Sequence, residues 1–387
     1  MHAWSGLGYY ICRSLRDSGF QIDTIETTGT PYSIMSTGKR LLYHTISSKK
    51  YRNDRVPALL KHYSAQIEKT LKSLECDIVF SPGTIPIAYL ETDKPIVFWA
   101  DATFAGMVDF YPDFTNLCAE SIRNGNEMEQ SALSKCRLAI YSSEWAANTA
   151  IQNYDVSSEK VRVVPFGANI ECDRRLADIA QIAARRTFNV IKLLFVGIDW
   201  FRKGGDVALS VAALLNHRGI KTELNIVGCD PPCNVPDFVK LYGFVSKTTT
   251  QGRRIFNDLF AESHFLILPS RAECFGVVLA EASSFGLPCL ASDVGGVSTA
   301  VKDGFNGKLF PVGEHPESYC EYILNLLSSK AEYEKLALSS FREYSDRLNW
   351  SSAGKIVHEF MDEFCSSKET NPVRDHSLLP YVQSRTR

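Results

Sequence analysis

The chain has 387 residues, 45% of them hydrophobic and 22% charged, with a formal net charge of −2. That balance offers no bulk positive charge for nucleic acid, and no apolar run approaches the roughly 20 residues a bilayer span requires. The length suits two domains rather than one.

In chain order, the first signal is a Gly-rich turn leading into a helix, "WSGLGYYICRSLRDSG". A Rossmann domain opens with a strand feeding such a turn, yet only three residues precede Trp4. The expected first strand is therefore missing, or another element fills its slot. The opening also lacks a signal-peptide core. A helical pattern at 57–74 leads into "CDIVFS" (76–81), "PIVFWA" (95–100), "LAIYSS" (138–143) and "KVRVVPF" (160–166), which read as buried parallel strands, with a helix at 144–153. A polar, helix-prone stretch after "GANIECD" runs to about 188. A second series then begins: strand 191–197, helix 204–217, strands 223–228 and 239–245, helix 251–261, strand 265–270, helix 277–285 and strand 288–292. The stretch "DVGGVSTAVKDGFNGKLF" (293–310) reads as one more strand–loop–helix.

Two β/α series joined by a linker predict an α/β protein of two Rossmann-like domains facing a cleft. The expected boundaries are 1–170 for the N-terminal domain, 171–190 for the linker and 191–345 for the C-terminal domain. A last helix follows at 346–365, then a loose polar tail at 366–387. Eleven cysteines are scattered, and the close pair Cys229 and Cys233 has no second pair to complete a zinc site. They read as reduced packing thiols of a cytoplasmic protein, with a metal or redox role as the alternative.

Glu273 and Glu281 lie eight residues apart in "RAECFGVVLAEASSFGLPCLASDVGG". Glu273 falls in a strand-to-helix loop at the ligand edge of the sheet. Gly276 permits close backbone approach, and the helix beginning near Val277 presents free N–H groups suited to phosphate. If the phosphate belonged to a nucleotide sugar, two acids flanking it could accept hydroxyl protons from its sugar on one side and its ribose on the other. The plainer alternative is a helix cap at Glu273 and a solvated Glu281. In "LLFVGIDWFRKGGDVALSVAALL", Arg202 and Lys203 precede a Gly pair and a helix, an arrangement that fits a diphosphate; a solvated basic turn is the alternative.

Taken together and in order, "G…RKGG", "IVG", "LPSRAECFGVVLAEASSFGLPCLASDVGG" and "DGFNGKLF" resemble the C-terminal domain of family 4 glycosyltransferases, over about 190–312. "SGLGYYICRSLRDSGF", "LAIYSSEWAA", "KVRVVPFGANI" and "RLNWSSAGKIVHEFMDEF" resemble the remaining parts more weakly. The resemblance implies the GT-B fold and a retaining transfer of a hexose from a nucleoside diphosphate sugar, which is a substrate; no separate cofactor is implied. It implies that Glu273 holds sugar hydroxyls and Glu281 the ribose. The amides around Phe275, Gly276 and Val277 would meet sugar and phosphate. Arg202 and Lys203 would neutralise the leaving diphosphate, and Gly6 and Gly8 would let the first-domain loop close over the donor. Ile198 stands where many relatives carry Arg, with Arg202 as its substitute. Ala100 and Asp101 stand where many carry His, and Ser298 and Thr299 replace a common Glu.

No Asp-x-Asp occurs in the chain, so a metal-clamped diphosphate is not expected and no metal site is assigned. The leaving phosphate would take the acceptor proton, with Asp101 either near the sugar or acceptor or capping the next helix. Two rival functions remain open: a non-catalytic nucleotide-sugar-binding or partner subunit, and a GT-B nucleotide-sugar epimerase.

The acceptor is expected to be a glycan or a lipid-linked glycan. Lys39, Arg40, Lys49, Lys50, Arg52, Arg55, Lys61, Lys69 and Lys72 face only Asp54 and Glu68 in their stretch, with Leu41, Leu42, Tyr43, Tyr51 and Leu59 interleaved. Such a face suits peripheral contact with an anionic inner membrane surface; a solvated helical face is the alternative.

Overall fold

A computed structural model of the chain describes residues 6–27, 33–232 and 234–366. Residues 1–5 of the opening turn, Cys233 and the polar tail from 367 onward lie outside them.

The first half contains α1 (Leu7–Asp17), α2 (Ser33–Ser47), α3 (Pro57–Leu71), β1 (Val79–Ser81), β2 (Ile96–Ala100), α4 (Phe104–Met107), α5 (Ala119–Lys135), β3 (Leu138–Tyr141), α6 (Glu144–Asn153) and β4 (Val161–Val163). The four strands pair in parallel in the order β1-β2-β3-β4. Every residue of β2 and β3 is buried, as expected when helices cover both faces of a parallel sheet. Trp99 on β2 is fully buried, and its indole N–H donates to the Val164 carbonyl at 3.0 Å, so its polar edge is satisfied. β4 stops at Val163, short of the expected 166, because Pro165 has no N–H to continue the ladder.

The linker carries α7 (Leu176–Arg185), which packs on a later helix through Ile179 and Ala183. Just beyond it, the buried Arg186 guanidinium donates to the carbonyls of Phe260, Ala261, Phe285 and Gly286 and to the Tyr333 hydroxyl. One side chain thus closes the ends of two helices that would otherwise bury free carbonyls.

The second half holds β5 (Ile191–Val196), α8 (Gly205–His217), β6 (Thr222–Val227), β7 (Val239–Leu241), α9 (Thr250–Glu262), β8 (Phe265–Leu268), α10 (Val277–Ser283), β9 (Cys289–Ser292), α11 (Val297–Ala300) and β10 (Gly307–Phe310), then α12 (Pro316–Leu327), α13 (Lys330–Asp346) and α14 (Trp350–Ser366). Its strands are all parallel, in the order β7-β6-β5-β8-β9-β10. This is the doubly wound 3-2-1-4-5-6 order, whose direction reverses between β5 and β8. The strand expected at 239–245 ends at Leu241, and Gly243 turns the chain away with φ 58°. The stretch 293–310 is corrected: its helix comes first and a sixth strand, β10, follows. Gly307 makes that strand possible, since a Cβ there would lie 2.1 Å from the Cys289 carbonyl oxygen.

α14 returns to pack on α1. Its first residue, Trp350, lies 5.7 Å from both Trp99 and Phe166 (ring centroids), and Phe166 lies 5.6 Å from Phe275. A continuous aromatic cluster therefore joins the first sheet, the last helix and the loop before α10. Among the described residues, no helix is long and apolar enough to cross a membrane.

Candidate active site at the strand switch

The carboxyl ends of β5 and β8 diverge at the switch point, and the loops that follow them, 197–204 and 269–276, meet there. Gly204 is in the left-handed region, and a Cβ on it would lie 2.0 Å from the Pro269 oxygen, so the two backbones touch. Arg271 joins the loops: its amide donates to the Arg202 carbonyl at 2.7 Å, and its guanidinium donates to the Phe201 carbonyl at 2.6 Å. The same guanidinium holds Asp206 through two bonds of 2.8 Å, and this pairing keeps the Asp206 carboxyl below its ordinary range.

On this frame Lys203 donates to the Glu273 carboxylate, and Arg202 Nη1 lies 3.7 Å from the same oxygen. Lys203 is 9% exposed and Glu273 7%. Neither charge is tolerable alone at that depth, so each stabilises the other. Arg202 also donates to the Ala272 carbonyl at 2.9 Å, and its amide donates to Asp199 at 3.0 Å. Both cations and the acid expected from the sequence therefore converge. A helix cap at Glu273 is replaced by an ion pair.

Glu281 is also buried rather than solvated, and it accepts from Lys247, which stands in the loop between β7 and α9. Lys247 escaped the sequence reading; a single Lys among Ser and Thr residues carries no signal. Gly276 precedes α10 with φ 79°, and Val277 is the first helical residue. The Phe275 side chain is in the aromatic cluster, so only its backbone is available to the cleft. Gly6 precedes α1 with φ 79°, while Gly8 is the second residue of that helix rather than part of a loop. On α1, Tyr10 stands close enough to Glu281 to feel its charge: burial, and then that charge, push its phenol up to about 12.

Asp101 follows β2 and lies near Cys274, whose thiol is pushed up by burial and then by the Asp101 charge. It does not cap α4. Thr103 does so, its hydroxyl accepting from the Gly106 amide at 3.0 Å. Ile198 is 75% exposed and takes no part in the cluster that Arg202 and Lys203 form with Glu273. Thr299 accepts from the Glu144 amide at 3.1 Å, joining the first half to α11. Tyr111 was also missed. It reaches from the first half to place its ring 4.9 Å from the Arg202 guanidinium carbon, and its hydroxyl accepts from the Cys274 amide at 3.1 Å.

The basic stretch is more divided than its sequence suggests. Leu41 and Leu42 are exposed, but Tyr51 and Leu59 are buried and Tyr43 stacks on Tyr51 at 5.5 Å. Lys39 pairs with Glu120 at 2.6 Å, and Lys50 donates to the Pro112 carbonyl at 2.6 Å.

Residues 191–329 match the family described as Glycosyl transferases group 1. The D-inositol 3-phosphate glycosyltransferase of Nocardiopsis dassonvillei is 29% identical over 57% of this chain and 54% of its own length. The protein of the same description from Paenarthrobacter aurescens is 23% identical over 93% of each. The fold is similar to that of sucrose-phosphate synthase from Thermosynechococcus elongatus, with a TM-score of 0.64 and 16% identity over 82% of this chain and 81% of the other. It is also similar to Anabaena Alr3699/HepE in complex with UDP-glucose, with a TM-score of 0.58 and 16% identity over 78% and 82%. The first of these relatives is thus matched over about half its length, and the structural likenesses establish the GT-B fold.

Proposed function

We propose, from the premise that residues 191–329 form a group 1 glycosyl transferase domain, that this chain moves a hexose from a nucleoside diphosphate sugar to the hydroxyl of a glycan or lipid-linked acceptor, with retention and without a metal. The observation that carries the reading is one buried carboxylate, Glu273, shared by two cations at the switch point of a 3-2-1-4-5-6 sheet. Arg202 also lies 3.6 Å from Asp199, so the cluster sets two cations against two carboxylates, and an arriving diphosphate takes both cations over. Lys203 then exchanges its carboxylate partner for phosphate, which frees Glu273 to accept sugar hydroxyls. The first amides of α10, around Gly276 and Val277, supply further donors. Lys247 stands in for the ribose at Glu281 until the donor arrives.

In this reading the cations stabilise the departing diphosphate, where negative charge grows during bond cleavage. The departing phosphate receives the acceptor proton, and Asp101 borders the acceptor side. The HepE complex with UDP-glucose supports a nucleotide-sugar donor by likeness. The protein works in the cytoplasm, against the inner membrane face where the acceptor is lipid-linked.

Incubation with UDP-, ADP-, GDP- and dTDP-sugars, with and without EDTA, tests the reading. Nucleotide release unaffected by EDTA is expected, and NMR of the product reports the anomeric outcome. A donor that raises the melting temperature yet releases no nucleotide with any acceptor would make the chain a binding subunit.

A further inference from the structure

The second half supplies the cations and the acid, but one residue that organises them comes from the first half. The chain between α4 and α5 forms a compact loop. Its two bends are at Asp109 and Asn116, which have φ of 55° and 58° although neither is glycine. The bends are held by surrounding bonds: the Asp109 amide donates to the Phe114 carbonyl at 3.2 Å, and the Lys50 amide to the Asn116 carbonyl at 2.9 Å. Backbone held in a sparsely populated region persists only where its surroundings impose it. Here it presents two adjacent aromatic rings to the second half. Phe110 packs on Trp145 of α6 with ring centroids 5.0 Å apart, and on its other side its Cζ would lie 3.0 Å from a Cβ at Gly295 of the second half. Tyr111 covers Arg202 and accepts from the Cys274 amide.

Resting on the glycosyl-transfer reading, we propose that Tyr111 is a positioning residue of the donor site. Its ring holds the Arg202 guanidinium in the orientation that meets the diphosphate, and its hydroxyl anchors the loop to the peptide joining Glu273 to Cys274. The diphosphate-binding arrangement is therefore complete only when the two halves are closed on each other. The geometry favours this over simple packing. Tyr111 touches the site through both of its chemically distinct parts: the π face meets the cation and the hydroxyl meets the backbone next to the acid. Arg202 has fixed partners on its inner side in Asp199 and the Ala272 carbonyl, and the ring holds it from the first half. The phenol also keeps its proton, because burial and then the Glu273 charge push its pKa up, so its oxygen accepts from the Cys274 amide without setting a second negative charge beside Glu273.

The test is a double-mutant cycle read by calorimetry with UDP, ADP and GDP, using the full chain. Tyr111→Leu keeps an apolar side chain, though a smaller one, and removes the π face and hydroxyl; Tyr111→Phe removes only the hydroxyl. With Arg202 present, Tyr111→Leu is expected to weaken the bound diphosphate by roughly 5- to 30-fold and Tyr111→Phe by roughly 2- to 5-fold. In an Arg202→Ala background the Leu change is expected to cost less than about 2-fold, since the cation it positions is gone. Equal losses in both backgrounds would make Tyr111 a packing residue and overturn the proposal. So would a Phe variant as weak as the Leu variant. If the unaltered chain binds none of the three diphosphates, the glycosyl-transfer reading fails, and this inference fails with it. Binding by the unaltered chain with an additive cycle overturns this inference alone.

Discussion

Lys247 and Glu281 are joined across the second sheet's ligand edge, the cation in the loop before α9 and the acid, 3% exposed, inside α10. Glu281 is thus neutralised before any ligand arrives. Removing the cation alone leaves a buried carboxylate without a partner. Lys247→Met is expected to lower unfolding free energy by about 1 to 3 kcal/mol, since Lys247 is itself partly solvated. Adding Glu281→Gln should restore part of the loss. Urea titration of both variants measures it, and equal stability of all three proteins would show that the pair contributes nothing.

Glu273→Gln leaves buried Lys203 with only a neutral acceptor, so it is expected to lower stability while retaining the native fold, and to reduce kcat/KM for transfer roughly 10- to 100-fold, the cost of about 1.5 to 3 kcal/mol for losing a charged acceptor. Activity within twofold of the unaltered chain would remove Glu273 from the sugar site.

Lys203→Ala is expected to weaken nucleoside diphosphate binding at least tenfold while leaving the bare nucleoside within about threefold, because only the diphosphate draws on the cation. Calorimetry with UDP and uridine, or the matching pair for another base, separates the two. Equal loss for both ligands would place Lys203 away from the phosphates.

Two buried groups give opposite pH dependences. His264 is buried between the Lys192 amide and the Thr187 carbonyl, and burial lowers its pKa from 6.5 to about 4. The unfolded chain takes up this proton first, so the contribution is full above pH 6.5 and lost as pH falls toward 4. Glu129 is buried beside Thr84, and burial raises its pKa from 4.5 to about 7. The folded chain keeps that proton longer, so its contribution is full below pH 4.5 and lost as pH rises through 7. Glu129→Gln removes the second dependence. The variant is expected to gain on the unaltered chain by about 1 to 3 kcal/mol between acid and neutral pH. Its stability curve should then rise with pH through the histidine window. Parallel curves for the two proteins would contradict this.

α2 exposes Leu41, Leu42 and Ile46 beside Arg40, and Lys49 follows just beyond the helix. The protein is expected to pellet with anionic vesicles at low salt, each base near the surface adding about 1 kcal/mol. Binding should fall with salt and with Leu42→Ser combined with Ile46→Ser. Protein left in the supernatant under all conditions would mean a soluble acceptor.

Hydrophobic periodicity and turn residues made both β/α series legible in the sequence, because strand and helix periods are local and need no knowledge of partners. The basic pair Arg202–Lys203 and the acids Glu273 and Glu281 were legible for the same reason: each stands at a strand's carboxyl end or in the helix after it, where the fold puts ligands. β10 was not legible, since four residues that depend on Gly307 for close approach carry little pattern of their own. Neither was the pairing of the charges. Burial forces every acid at the switch point to take a cation, but which cation depends on packing between distant loops. That is how Lys247 comes to Glu281, how Arg186 comes to close the ends of α9 and α10, and how Tyr111 comes to Arg202 across the cleft. Composition and spacing determined the frame and the kind of groups at its ligand edge. The partners were decided by tertiary structure, because a buried charge is satisfied by whatever the fold brings within a few ångströms of it, and that proximity has no counterpart in chain order.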